Sequence, residues 1–342
     1  MALRFPTSLS PEGWFPVAFS HELEPGQVKP IEYFNEKLVI WRGVDGEAYV
    51  QDAFCLHLGA HRGVKGEVRG NDLMCPWHGW EWSGDGRNTR IPYGSEGCKK
   101  SARIRTYPVN EWCGLVLVWN SHRTPAEPSW LPPEVPEFND PDWYAAHPHS
   151  TTVHRTKMHP QMPMENAVDP AHIQYVHGAD QIPKQVSFTA DGHWFQSVVS
   201  MEYGGGRAST RLTPDGPVTS LVDMNCYGVG ISVIRWELPI PTVQVTGFGP
   251  VDDEMTDYWF CQTSYCPQTA PSGEPAGLGA EFLRIQQRVI TQDFFAWANM
   301  KYLDRPLYAA EEAKAYSAFR RWAAGLYPDA DAERMRELAT ES

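Results

Sequence analysis

Cys55-Leu-His57-Leu-Gly-Ala-His61 and, further on, Cys75-Pro-Trp-His78-Gly-Trp80 decide how this chain is read. Cys55/His57 and Cys75/His78 form two pincers, each offering one thiolate and one imidazole. The 17 residues between His57 and Cys75 suit two loops closing from a β-scaffold over one inorganic group. A [2Fe–2S] cluster held this way has two cysteines on one iron and two histidines on the other. Neutral imidazoles in place of thiolates reduce its negative charge and raise its potential. Two Cys and two His also suit a structural zinc. Zinc fingers, however, usually keep each Cys pair and each His pair together, whereas each pincer here mixes the two types. Trp77, Gly79 and Trp80 would shield a cluster at His78, and Gly59, Gly63, Gly66 and Gly70 would make the first loop sharp. His61 is a competing ligand, read here as a loop residue.

The chain has 342 residues, enough for two domains with sizeable cores. A cluster domain needs only about 100–150 of them, so more than half the chain has another task. A net charge of −13 repels phosphate backbones and excludes nucleic-acid binding as the expected role. No run of 18 apolar residues occurs and Met1–Pro16 is short and mixed. The expectation is a soluble, cytoplasmic protein with no membrane span. Of seven cysteines, Cys98, Cys113, Cys226, Cys261 and Cys266 show no disulfide-framework spacing and are expected as ordinary thiols of a reducing compartment.

From Gly13 to Asn120 the signals are short strands and turns, with Leu38–Arg42 and Ala48–Val50 flanking the Gly43–Gly46 turn. Glu81–Gly86 reads as a strand and hairpin turn, and Gly114–Trp119 as a closing strand. Seven prolines between 123 and 149 mark a wrapping linker. His147, His149, His154 and His159 lie in or near it, and their irregular spacing reads as solvated loop. Met164–His177 reads as a short helical stretch, Thr189–Tyr265 as mostly strand, and Ala280–Lys301 and Ala309–Ala324 as helices. The whole is an α+β chain, with a boundary expected at 140/141.

A second constellation lies in Asp169-Pro-Ala-His172-Ile-Gln-Tyr-Val-His177. Asp169 and His172 share a helix face. His172 and His177 stand about 140° apart on an ideal helix of about 100° per residue. They converge only if the helix is distorted or ends there, as Gly178 suggests. Asp169 before Pro170 is equally a passable N-cap. Asp293 falls on the apolar stripe Phe282, Ile285, Val289, Ala296, where an isolated carboxylate is expensive unless paired or metal-bound. A salt bridge to a buried Arg is its alternative reading.

These segments resemble the Rieske non-haem iron oxygenases. The cluster loops match, and Glu165-Asn166-Ala-Val-Asp169 with His172 and His177 is similar to the family's mononuclear-iron motif. Gln292-Asp293-Phe-Phe-Ala-Trp297 resembles its third-ligand segment. The resemblance implies an all-β Rieske domain with linker (1–140), followed by a helix-grip-like catalytic domain (141–342) with an antiparallel sheet and a long carboxy-terminal helix. It implies Cys55, His57, Cys75 and His78 on the [2Fe–2S] cluster, and Fe(II) on His172, His177 and Asp293. Asn166 would lie near the iron. Asp169 would bridge His172 to His78 of a neighbouring subunit in a homotrimer. Electrons would come from a separate NAD(P)H-dependent reductase or ferredoxin, since no Gly-x-Gly-x-x-Gly loop follows a strand here.

The loop Trp80–Arg87 through Tyr93, the Asp293 segment and Arg320-Arg-Trp322 resemble the steroid-acting branch, which includes 3-ketosteroid 9α-hydroxylase oxygenases and cholesterol 7-desaturases. That branch implies O₂-dependent hydroxylation of an apolar polycyclic substrate. The lack of a membrane anchor is expected to set the chain apart from the animal desaturases. The rival enzyme is a Rieske monooxygenase or demethylase of aromatic or alicyclic compounds. The rival of another class is an electron carrier without oxygenase activity.

Overall fold

The structure is a computed structural model describing residues 11–121, 127–146, 148–205, 211–265, 274–303 and 305–328. The amino-terminal part is built of short strands, as the spacing of its turns requires. β1 (Gly13–Phe19), β10 (Val109–Trp112) and β11 (Leu115–Asn120) form one sheet in the order β1-β11-β10. β2 (Val28–Tyr33), β3 (Glu36–Arg42), β4 (Ala48–Asp52) and β9 (Thr106–Tyr107) form a second. A third contains β5 (Glu67–Arg69), β6 (Asp72–Met74), β7 (Glu81–Trp82) and β8 (Asn88–Arg90). The hairpin between β7 and β8 turns at Gly86, whose φ of 82° favours glycine.

The carboxy-terminal part is one antiparallel sheet of seven strands. These are β12 (Thr151–Lys157), β13 (Lys184–Asp191), β14 (Trp194–Tyr203), β15 (Val218–Tyr227), β16 (Ile231–Trp236), β17 (Thr242–Pro250) and β18 (Met255–Ser264). Their order is β12-β18-β17-β16-β15-β14-β13. Among the described residues five helices lie around it: α1 (Gln161–Glu165), α2 (Ala171–Tyr175), α3 (Gly277–Val289), α4 (Phe294–Asn299) and α5 (Ala310–Ala324).

The period-two alternation of the strands separates two cores. Ile231, Val233, Val243, Val245, Trp259 and Cys261 pack with Trp14, Trp119 and the amino-terminal sheets. Phe248, Tyr258 and Phe260, one step out of phase, pack under α1, α4 and α5. Trp14, Trp119 and Phe319 are almost wholly buried, and truncating such a ring costs about 3–5 kcal/mol.

The long carboxy-terminal helix is present over 277–299, while two histidine readings need correction. Within that helix α3 runs to Val289, Ile290–Asp293 tighten into a 3₁₀ turn, and α4 follows. Thr291 Oγ1 donates back to the Arg288 carbonyl at 2.9 Å, which competes with regular helix bonding. His154 is not loop but part of β12, its ring 5.4 Å from that of Phe294. His159 is buried, and its Nδ1 accepts the Gln161 amide at 3.1 Å. His149 is exposed, as expected, while His147 and Cys266 lie outside the described residues. Among the described residues the other six cysteines form no disulfide. The linker does wrap: the indole N–H groups of Trp14 and Trp112 donate to Trp130 O and Pro133 O, and Glu137 pairs with Arg235 on β16 at 2.7 Å.

Candidate metal centres

The two cluster loops repeat one hydrogen-bond pattern. Gly59 N–H donates to Cys55 O at 2.9 Å while Cys55 N–H donates to Ala60 O at 2.9 Å. Gly79 N–H donates to Cys75 O at 3.0 Å while Cys75 N–H donates to Trp80 O at 2.8 Å. Each loop is thus a closed turn with glycine in the left-handed region, at φ 74° and 69°. A Cβ on Gly79 would also come within 3.1 Å of Pro92.

These turns bring like donors together. Cys55 and Cys75 are both buried and share a hydrogen bond, which pulls the Cys75 thiol down and pushes the Cys55 thiol up. The His57 and His78 rings lie 4.7 Å apart. His57 stacks on Trp80 at 4.5 Å, and Trp80 Nε1 donates to the Tyr93 hydroxyl at 2.9 Å. His57 Nδ1 is buried without a partner, the signature of an atom that needs a ligand to satisfy it. No three of these four residues converge within the 4.8 Å found for a single-ion group. A cysteine pair beside a histidine pair fits a two-iron cluster better than one tetrahedral zinc. His61 turns its Nδ1 to the Gly63 amide at 3.1 Å and packs its ring against Phe54, as befits a loop residue.

The second centre is assembled from distant segments. α2 is one short helix after Pro170, and it ends before Gly178 in the left-handed conformation at φ 74°. That ending lets His177 swing toward His172, their rings 5.1 Å apart. The 3₁₀ turn after α3 then presents Asp293, which is only 7% exposed. Ligand atoms of His172, His177 and Asp293 lie within 4.8 Å of one another, the one such group among the described residues. His177 Nε2 is 3.5 Å from Asp293 Oδ2. Two histidines and one carboxylate form a facial set for non-haem iron.

Neighbours fix the orientation of each ligand. His172 Nδ1 meets the Asp169 carbonyl, and Asp169 Oδ1 accepts the His172 amide at 3.2 Å. His177 Nδ1 meets Gln292 Oε1 at 2.9 Å. Both Nε2 atoms are thereby left for an ion. Asn166 Nδ2 donates to Asp293 Oδ2 at 3.2 Å and lies 3.4 Å from His172 Nε2. Burial pushes the Asp169 carboxyl up, but hydrogen bonds from His172 and Tyr316 outweigh it and hold it below its ordinary range. Burial lowers His177, and contacts with Asp293 and Gln292 reverse that to a net rise. Glu165 and Arg320 form a forked pair, both bonds 3.0 Å, which ties α1 to α5 beneath the site.

The triad lies at the wall of a cavity of about 710 Å³, within the range of ligand pockets. Met201, Val222, Met224, Ile234, Phe248 and Phe282 are among its apolar walls. Gln244 also faces it at 5% exposure, and its carboxamide has no hydrogen bond among the described residues. Sequence reasoning did not find Gln244, Gln292 or the Glu165–Arg320 clamp. Only the adjacency of Gln292 to Asp293 was available as a signal.

A paired Cys/His cluster site and a two-His, one-carboxylate triad on one chain define a Rieske non-haem iron oxygenase. Residues 13–108 match the Rieske [2Fe-2S] domain, and residues 118–327 match the 3-ketosteroid 9alpha-hydroxylase C-terminal domain. The chain belongs to this family of Rieske oxygenases, and it is a non-haem iron monooxygenase with a [2Fe–2S] cluster and a mononuclear Fe(II) as its cofactors. It is 30% identical over 340 residues to cholesterol 7-desaturase nvd of Hemicentrotus pulcherrimus, covering 91% of this chain and 68% of that protein. It is 28% identical to a probable 3-ketosteroid-9-alpha-monooxygenase oxygenase component of Rhodococcus rhodochrous, covering 93% and 80%. Apo dicamba monooxygenase shares the fold at a TM-score of 0.71 and 17% identity, covering 98% of this chain and 99% of that one. NdmA of Pseudomonas putida CBB5 with caffeine does so at 0.73 and 17%, covering 95% and 94%. The chain is thus an oxygenase component of the kind that receives electrons from a separate reductase or ferredoxin. No helix among the described residues is long and apolar enough to cross a membrane.

Proposed function

We propose that this chain is the terminal oxygenase that hydroxylates an apolar, polycyclic, steroid-like substrate, with an NAD(P)H-dependent reductase supplying the electrons. The observation that carries the reading is the apolar cavity of about 710 Å³ with His172, His177 and Asp293 at its wall. The names of the relatives, a cholesterol desaturase and a ketosteroid monooxygenase, favour a steroid over a small aromatic acid. Cys55, His57, Cys75 and His78 would hold the cluster, and His172, His177 and Asp293 the iron. A cluster held there would supply single electrons, and an iron held there would supply O₂ activation for oxygen insertion into the substrate.

The chain's own residues do the positioning. The Asp169 carbonyl and the Gln292 carboxamide hold the two imidazoles with Nε2 inward, and Asn166 keeps the Asp293 carboxylate turned toward them. The apolar walls exclude water from the reacting face. Residues 1–140 are assigned to the cluster domain with its linker, and 141–342 to the catalytic domain. Leu56, Leu58, Trp77 and Tyr93 are exposed around the cluster loops, and Tyr175 and Phe295 near the triad. Apolar rims at both centres support a head-to-tail homotrimer, with Asp169 bridging to the neighbouring His78. Cysteines that form no disulfide among the described residues support a cytoplasmic location.

The test is a turnover panel of steroids and aromatic acids with a surrogate reductase and NADH, together with iron analysis. The expected result is oxygenated steroid product and about three Fe per chain. Coupled product from the aromatic set alone would overturn the steroid assignment. About two Fe and no product from either set would favour an electron carrier.

A further inference from the structure

Arg62 is a charged side chain at 0% exposure, and the reading above gives it no part. Its guanidinium donates to Gln51 Oε1 at 2.8 Å and to the Asp52 carbonyl at 2.5 Å. Gln51 Nε2 donates in turn to the carbonyls of Ser83 and Gly84, at 2.7 and 3.1 Å, in the hairpin after the second cluster loop. The Arg62 amide donates to Ala53 O at 2.8 Å, just before the first loop. The guanidinium is therefore anchored between the two loops, yet its Nε is buried without a partner.

A buried cation is costly unless something of opposite charge faces it. Arg62 forms no ion pair among the described residues. Burial lowers its pKa to about 10, which leaves it charged at neutral pH, and the charges opposing that fall are Cys55, Cys75 and then Asp52. The Arg62 side chain is instead held through Gln51 against the hairpin after the second loop, and its amide against Ala53 before the first, so its charge lies fixed between the segments that carry Cys55 and Cys75.

We infer that Arg62 is a fixed positive charge that raises the reduction potential of the cluster. This rests on Cys55, His57, Cys75 and His78 being the cluster's ligands. An oxidised two-iron, two-sulfide core with two thiolates and two neutral imidazoles is electrically neutral. The one electron that it accepts from the reductase makes it an anion, and no bond forms or breaks. A nearby cation in a medium of low dielectric stabilises that anion and leaves the neutral state almost unaffected. Arg62 is a positioning residue that acts through the cluster and does not touch substrate.

The test is an anaerobic redox titration of the holoprotein, followed by the visible spectrum of the cluster, with iron and sulfide measured on each variant. Arg62→Gln is expected to keep its cluster, while its reduced-to-oxidised ratio at a fixed applied potential falls about tenfold, ~59 mV for a one-electron couple. Arg62→Lys keeps the charge and is expected to keep most of the ratio. An unchanged ratio in Arg62→Gln, or an equal fall in both variants, would overturn the inference. So would loss of the cluster from both, which makes Arg62 a packing residue. A wild-type chain without a Rieske-type spectrum fails the ligand assignment itself and takes this inference with it.

Discussion

The two proposed metal centres are built by opposite routes. At the proposed cluster site all four donors fall between residues 55 and 78, and backbone turns aim them. At the proposed iron site His172 and His177 come from the end of one short helix and Asp293 from a 3₁₀ turn far along the chain. The first site is a local structure braced by a sheet. The second exists only when the seven-stranded sheet and the helices α1, α3 and α5 have come together. The cluster site should therefore tolerate damage elsewhere, whereas the iron site should report on the whole catalytic domain.

The largest expected effect is a reciprocal pair. Asp293→Ala should reduce iron from about three to about two per chain and abolish turnover, with the cluster spectrum unchanged. Cys75→Ser should remove the cluster and spare Fe(II) binding at the triad. Loss of both metals from either variant would break the picture of two independently held centres. Next comes Arg320→Ala, which strands Glu165 in a side-chain environment only 13% exposed. Breaking such a buried pair costs about 3–5 kcal/mol, to be read from denaturant unfolding, and Fe(II) affinity should fall with it. Gln292→Ala should weaken Fe(II) binding by about 10–100-fold through loss of the His177 orienting contact. Calorimetric Fe(II) titration measures this, and the cluster should not respond.

The smallest effect concerns the linker. Burial pushes the Glu137 carboxyl up, but the Arg235 hydrogen bond outweighs it and the net shift is downward. A carboxyl lowered on folding contributes stability above its unfolded value of about 4.3 and loses it as pH falls through the folded value. Glu137→Gln should thus cost about 1 kcal/mol at pH 7. Melting curves across acid pH should show the variant and wild type converging below about pH 4.

The same contrast explains what could be read in the amino-acid sequence. Cys55/His57 and Cys75/His78 are legible because spacing along the chain is their geometry. The strands around Leu38–Arg42 and Gly114–Trp119 were legible from apolar runs between turns. His172 and His177 were ambiguous by periodicity alone, since the ending at Gly178 is a feature of backbone conformation. Asp293 was legible only as a carboxylate on an apolar stripe, until resemblance gave it a role. Gln244 and Arg62 were not legible at all, and Gln292 only through its place beside Asp293. A buried glutamine or arginine is marked by what surrounds it, and that surrounding comes from other strands and loops. His154 was misread for the same reason, because β12 gains its strand character by pairing with β18, not from its own polar sequence.

Strands β16 and β17 have a further consequence. Ile231, Val233, Val243 and Val245 face the amino-terminal half, while Ser232, Ile234, Gln244, Thr246 and Phe248 face the cavity. One strand thus carries two unrelated sets of constraints on alternate residues. Mutation can redraw the cavity wall every second position without loosening the seam that holds the electron-carrying half in place. A lineage built on this sheet can change what it oxidises while keeping how it is supplied with electrons.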